Sequence, residues 1–303
     1  MPDRFINLFT DYGFKKIFGE EPNKDLLIGF LNELLEDKET ITDLTYLKNE
    51  RLPQSENLRK SVFDLYCSNQ EGEKFIVEIQ RIKQQYFKDR SIYYSTFAIQ
   101  EQAQKGKNWK YELKNVYTIA ILDFTFDDSE LIQHDVKLVE VKSKQVFYQK
   151  LNFIYLEIPK FNKKLQDLAS DYERWLYAFK NLHKLADRPP ELEEGIFRRL
   201  MELAEIGKMD KKEQSEYQES LKDYWDLKSA MDAYLEEGRK EGRKEGRKEG
   251  RIQGRKEGIK KGQMVTKIEL AVNMHKEGLP LEKIQIITGF TNEELVKILN
   301  DSR

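Results

Sequence analysis

Apolar residues recur along this chain at two periods, and the switches between them outline the fold. Near the start, Phe5, Phe9, Tyr12, Phe14 and Phe18 alternate with Asp11, Lys15 and Lys16, which fits a short helix or turn packed on a core. Leu26, Leu27, Phe30, Leu31, Leu34 and Leu35 follow at helical spacing behind Asn23, a good N-cap, and predict a helix to about residue 36. The pattern then shortens. Residues 42–51 read as a first strand closed by a loop at Pro53, and residues 62–68 and 74–80 read as two more. A helical stretch at 84–104 carries Phe87, Arg90, Ile92, Tyr93, Tyr94, Phe97 and Ile99. Residues 116–124 are almost continuously apolar, as a strand covered on both faces should be. Two further strands are expected at 136–148 and 151–158, the second ended by Pro159. Beyond residue 162 the period is helical: one helix through Leu165, Leu168, Trp175, Leu176, Phe179 and Leu182, a break at Pro189-Pro190, then helices at 196–206 and 215–235.

The two strands at 62–68 and 74–80 are separated by Asn69-Gln70-Glu71-Gly72-Glu73, which is turn chemistry. A three-residue loop at 70–72 places Gly72 where φ must be positive. That loop is centred on residue 71, so facing residues have numbers summing to 142, and Asp64 faces Glu78. Directly opposed like charges destabilise a strand pair, whereas a divalent cation between them converts repulsion into binding. Alternation puts Glu78 and Gln80 on one face and Val77, Ile79 and Arg81 on the other. Asp64, Glu78 and Gln80 therefore form a polar triplet; the competing interpretation is an exposed sheet face with scattered polar groups. Cys67 alternates with Phe63 and Leu65 and is expected to be a buried small residue rather than a nucleophile.

An Asp on one strand, a tight turn and Glu-X-Gln on the next resembles the core of the PD-(D/E)XK nuclease superfamily. The branch it is most similar to is the recombination-promoting nucleases, also described as transposases. The matching segments are Thr10-Asp11-Tyr12-Gly13-Phe14-Lys15-Lys16-Ile17-Phe18-Gly19, Phe63-Asp64-Leu65-Tyr66, Ile76-Val77-Glu78-Ile79-Gln80-Arg81, Arg90-Ser91-Ile92-Tyr93-Tyr94, Leu156-Glu157-Ile158-Pro159-Lys160-Phe161 and a Gly-Arg-Lys-Glu repeat. Phe63 stands for the Pro of the superfamily name and Gln80 for the Lys, which removes a cation from the site; this branch usually carries Gln there. The resemblance implies an α/β restriction-endonuclease-like core (helix, three-strand meander, helix, strand) with added strands, followed by an all-helical C-terminal region. It also implies a metal-dependent DNA endonuclease connected with recombination or mobile elements. In that reading Asp64, Glu78 and the carbonyl of Ile79 hold Mg2+, with Mn2+ or Ca2+ as alternatives, and Gln80 orients water. Lys15, Lys83 or Arg90 restores the missing charge, Arg90 by gripping phosphate. The alternative is a catalytically weak DNA-binding or regulatory protein acting through C-terminal oligomerisation.

Composition narrows the setting. The 303 residues carry 52 Lys and Arg against 54 Asp and Glu, a formal net charge of −2, so attraction to DNA must come from local patches rather than bulk charge. One cysteine excludes an intramolecular disulfide. No apolar run approaches the ~20 residues of a membrane span, and the first residues lack a signal-peptide apolar region; the expectation is a cytoplasmic protein without membrane contact. His134 and His183 have no Cys or His at ligand spacing and suggest no zinc site.

The expected organisation is a nuclease-like domain at 1–161, a helical extension at 162–236, the repeat at 237–262 and a small helix-turn-helix-like module at 263–303. In the repeat, glycines recur every four residues from 238 to 262, with eleven Lys or Arg and four Glu among them. Each Gly costs a helix roughly 1 kcal/mol relative to Ala. The segment is either a charged linker or a helix stable only when paired, and a homo-oligomer through the C-terminal helices is expected. In the last module Thr291-Asn292-Glu293-Glu294 is a capping box. Only Lys297 is cationic on the final helix, which favours protein contact over groove entry.

Overall fold

The structure is a computed structural model of the chain; it describes residues 3–35, 40–47, 63–103 and 110–301. The loop expected at Pro53 lies outside the described residues.

A single six-stranded sheet forms the centre, with strands in the order β1-β2-β3-β4-β6-β5. The strands are β1 (Leu44–Tyr46), β2 (Leu65–Asn69), β3 (Lys74–Gln80), β4 (Val116–Leu122), β5 (Gln133–Val139) and β6 (Val146–Glu157). β1, β2 and β3 are an antiparallel meander, while β3, β4 and β6 run parallel and β5 returns antiparallel on the far edge. The helices in the first part of the chain are α1 (Asp11–Phe18), α2 (Lys24–Leu34), α3 (Phe87–Glu101), α4 (Asp171–Asn181) and α5 (Gly195–Leu203). This is the expected α/β core of helix, meander, helix and strand with added strands, followed by a helical region. Every residue of β4 is buried, as its continuous apolar run requires.

The sheet separates two unequal layers. On one side Leu65, Cys67, Val77, Ile79, Ile119 and Ile121 pack against α1, α2, α4 and α5 in the main core, around Phe18, Phe30, Trp175 and Phe179. On the other side α3 covers the sheet through two smaller apolar patches. One gathers Phe63, Tyr66, Ile76 and Ala98; the other gathers Phe87, Ala120, Leu122, Phe153 and Tyr155. Between those patches Glu78 meets Arg90 of α3.

Several local expectations shift. Asn23 sits at the N-cap of α2, yet its side chain caps nothing there and instead donates to the Lys16 carbonyl at 2.9 Å. The helix expected from Leu165 begins at Asp171, where Ser170 caps it, and Leu165 lies in a preceding 3-10 turn. The fifth and sixth strands occupy 133–139 and 146–157 rather than 136–148 and 151–158, because a hairpin turn falls at 140–145. Phe63 leaves the face of Leu65 and Cys67 and packs with Tyr66 and Tyr94, since the chain bends at Asp64. Cys67 is fully buried among core residues, and burial pushes its thiol up to about 12, so it stays protonated.

Two compact units divide the chain, Met1–Met231 and Asp232–Arg303. Helix α6 (Lys211–Lys276) contributes to both and remains helical through the whole glycine repeat. In the second unit Ala271, Ile284, Phe290 and Leu295 form a small core among the end of α6, α7 (Leu281–Thr288) and α8 (Asn292–Asp301). Gly289 ends α7 at φ 70°, and the capping box closes reciprocally: Thr291 N–H donates to Glu294 Oε2 at 2.8 Å, and Glu294 N–H to Thr291 Oγ1 at 3.3 Å. None of the described helices is long and apolar enough to cross a membrane.

Candidate active site

The β2–β3 turn sets the site. Gly72 has φ 78°, and Leu65, Tyr66, Cys67 and Ser68 face Val77, Ile76, Phe75 and Lys74, the register that the turn predicts. One step further, at the open end of the hairpin, Asp64 comes opposite Glu78. The two strands are tied there by side chains. Asp64 N–H donates to Glu78 Oε1 at 3.1 Å, and Ile79 N–H donates to Asp64 Oδ2 at 2.7 Å. Each carboxylate is therefore held by a backbone amide of the other's strand. Gln80, also buried, follows on the same face as Glu78, and its carbonyl turns toward β4 to accept from Asp123 N–H at 2.9 Å. Ile79 buries its side chain in the main core, and its carbonyl lies on the same strand edge as its amide, the edge of Asp64.

The electrostatics follow from burial without a lysine. Burial, and then the charge of Asp64, push the Glu78 carboxyl up to about 8, against the amide of Asp64 and the charge of Arg90. Burial likewise raises Asp64, opposed by the Ile79 amide. Two such groups in one buried place favour the protonated form unless a cation joins them.

Three cations approach from two sides. Arg90 Nη2 stands 3.6 Å from Glu78 Oε2, with Nη1 on Gln84 Oε1 at 2.8 Å and its guanidinium carbon 5.5 Å from the Tyr94 ring centroid. From the other face Lys15 and Arg81 bear on Asp64 electrostatically. Lys15 also forms the i, i+4 ion pair with Asp11 at 2.9 Å. α1 is tucked in closely enough to bring them there because residue 13 is glycine: a Cβ would strike the Asn7 carbonyl. Lys83 turns away and donates to the Phe126 carbonyl at 3.3 Å.

A cleft of about 520 Å³ opens onto Asp64 between α1 and α6. Its far wall is Glu216, Glu219, Ser220 and Asp223, none of which the sequence pointed to. These residues sit about 150 positions from the hairpin, and their spacing marks only a polar helix face.

A second group escaped the sequence as well. Asp127, His134 and Glu157 bring ligand atoms within 4.8 Å of one another. His134 thus has acidic neighbours in space where it has no metal ligand in sequence. Lys160 already occupies that group, with Nζ 2.7 Å from Asp127 Oδ1 and 2.8 Å from Glu157 Oε1. His134 Nε2 lies 2.7 Å from Glu157 Oε1, and Phe126 N–H donates to Oε2 at 2.9 Å. The only sequence signal was the segment from Leu156 to Phe161 in the family resemblance.

A family model for PD-(D/E)XK nuclease family transposases matches residues 8–234. No curated protein and no solved structure matches the chain.

Proposed function

Because the chain belongs to the PD-(D/E)XK nuclease family transposases, we propose that it is a metal-dependent DNA endonuclease that hydrolyses phosphodiester bonds in recombination or mobile-element processes. One observation carries this reading: Asp64 and Glu78 converge at the open end of the hairpin, each fixed by the other's backbone amide, with burial raising both. The donor set of two carboxylates beside the Ile79 carbonyl suits a hard divalent cation, Mg2+ foremost, with Mn2+ or Ca2+ as alternatives. When bound there, such an ion supplies Lewis-acid polarisation of the phosphodiester and a bound water of lowered pKa. Asp64, Glu78 and the Ile79 carbonyl would hold it. Gln80, next on the same face, orients the attacking water through its amide. Arg90 would donate to the scissile phosphate in bidentate fashion, and Lys15 would support the developing charge from the opposite side.

Purified protein should relax or linearise supercoiled plasmid with Mg2+ and lose that activity with EDTA and in Asp64→Ala. Persistent cutting by Asp64→Ala would remove the assignment.

A second reading rests on Gln80. A neutral amide where the superfamily has lysine fits a catalytically weak DNA-binding or regulatory protein acting through C-terminal self-association. In α6, Ile252 and Ile259 are exposed seven residues apart, and the glycines from 238 to 262 meet nothing within 4 Å. A homo-oligomer through these helices predicts that a chain ended at Leu235 elutes at a smaller assembly state. An unchanged state would dismiss it.

A further inference from the structure

The carboxylate pair stands between two walls of opposite character. Toward α1 and α6, the described residues lining the cleft include Asp11, Glu20, Asp64, Glu216, Glu219 and Asp223 against Lys15, Lys16 and Arg81. With Asp64 counted to the pair itself, five acids against three bases leave the wall a formal excess of two negative charges. This wall is fixed. Asn7 N–H donates to Tyr217 Oη at 3.0 Å, and Tyr12 N–H to Ser220 Oγ at 3.1 Å. Tyr224 Oη and Lys228 Nζ both reach Asp123 Oδ2, at 2.7 and 3.0 Å. Lys16 pairs with Glu213.

Toward α3 the wall is aromatic and cationic. Arg90, Tyr93 and Phe97 follow at i, i+3 and i+7 on α3, and Tyr86 is the N-cap residue at its start. Tyr86 is 65% and Tyr93 42% exposed. The Tyr93 ring is braced edge-on by Phe97, with centroids 4.9 Å apart at 87°. Arg90, between the two tyrosines, is the residue that reaches Glu78.

We propose that a single DNA strand enters the site along α3, stacking bases on Tyr86 and Tyr93 and laying a phosphate on Arg90, while the acidic wall of α6 keeps a second strand out. The proposal rests on the nuclease reading and names its substrate class. Paired bases are already stacked within a duplex, so tyrosine rings on a helix surface can stack only on unpaired ones. A duplex also carries a charge about every 1.7 Å along its axis. At physiological salt the carboxylates of the cleft repel such charge within a Debye length of ~8 Å.

The test uses the full chain and labelled oligothymidylate, with a blunt duplex of equal length for comparison, by fluorescence anisotropy in EDTA at physiological salt. Chelation stops cleavage, so binding is read by itself. The single strand should bind more tightly than the duplex. Tyr86→Ala and Tyr93→Ala should each weaken single-strand binding about tenfold. Tyr93→Phe, which keeps the ring, should stay within about twofold of the native chain. Glu219→Gln with Asp223→Asn should strengthen duplex binding and narrow the discrimination. Equal affinity for the duplex, or indifference to both alanine variants, overturns the proposal. Plasmid cleavage run alongside separates the two ideas. Metal-dependent cutting with indifferent tyrosines removes this inference alone; tyrosine-dependent binding with no cutting at any metal removes the nuclease reading alone.

Discussion

Two carboxylate clusters lie at the same end of the sheet, where the register aligns Gln80 with Leu122 and Leu122 with Glu157, and they are neutralised in opposite ways. Glu157 is fully buried, yet it receives the Lys160 ammonium, the His134 ring and the Phe126 amide. In the same cluster Lys160, and then Ser129, hold the Asp127 carboxyl well below the usual range. Glu78 is buried nearly as deeply, its ion-pair partner among the described residues is a guanidinium 3.6 Å away, and its strand carries glutamine where lysine would close the circuit. A cluster that supplies its own cation is a brace. A cluster that stays short of one costs the folded state, and under the proposed function a cation from outside would relieve that cost. Substitutions at equivalent places should therefore have opposite consequences.

The largest divergence is expected in activity. Asp64→Ala or Glu78→Gln should lower metal-dependent plasmid cleavage by more than about a hundredfold, the upper end seen when only a supporting partner of a ligand is lost. In the metal-free protein Glu78→Gln should raise the melting temperature at alkaline pH, because it removes a carboxyl that the fold holds in its costly form. Glu157→Ala should do the reverse. It strands the Phe126 amide and the His134 ring, leaves Lys160 to Asp127 alone, and should destabilise by about 3 kcal/mol, while cleavage per folded molecule persists. Denaturant melts paired with specific activity decide this. A stable but inactive Glu157→Ala protein would make the second cluster part of the chemistry.

The comparison sharpens with pH. Folded Glu78 keeps its proton to about 8, whereas the unfolded chain releases it near the ordinary 4.5. Between those limits the folded state binds more protons than the unfolded one, so stability falls as pH rises through the window. A divalent metal held by the deprotonated pair, as proposed, would reverse the loss. The gain in melting temperature from Mg2+ should therefore grow from pH 6 to pH 9, reaching the equivalent of ~2.7 kcal/mol at a hundredfold excess over Kd. Scanning fluorimetry across that range reads it; a gain that shrinks with pH would place the ion elsewhere.

The two clusters also differ in how far the sequence revealed them. The hairpin was legible because its determinants are local: Asn69 to Glu73 fix the turn, the turn fixes the register, and the register brings Asp64 to Glu78. Asp127, His134, Glu157 and Lys160 are spread over 34 positions, and only the β5–β6 pairing gathers them. The α6 wall was less legible still, since Glu216, Glu219 and Asp223 reach the cleft through tertiary bonds to Asn7, Tyr12 and Asp123. The start of α4 was misplaced because Leu165 and Leu168 continue the helical period, while the cap at Ser170 decides where the helix begins. The repeat left linker and helix both open, because glycine cost and charge spacing pull in opposite directions.

The smallest expected effect tests the hairpin logic at its source. Gly72 holds φ 78° with open space around it, so a methyl group at residue 72 meets no atom within 4 Å. Gly72→Ala therefore isolates backbone strain, worth about 1–2 kcal/mol for a left-handed residue. If the turn alone sets the register, that strain has two outlets. The loop can absorb it and leave Asp64 facing Glu78, in which case stability falls while the Mg2+ response of the melting temperature is unchanged. Or the register slips by one residue, which would carry Glu78 to the apolar face and remove both the metal response and cleavage. Phe75, Val77 and Ile79 of the same strand are locked into the main core on the opposite face, and a slip would turn all three out of it. Burying those three side chains is worth more than the strain, so the first outcome is expected. Loss of the metal response in Gly72→Ala would show that the turn, rather than the core, holds the two carboxylates together.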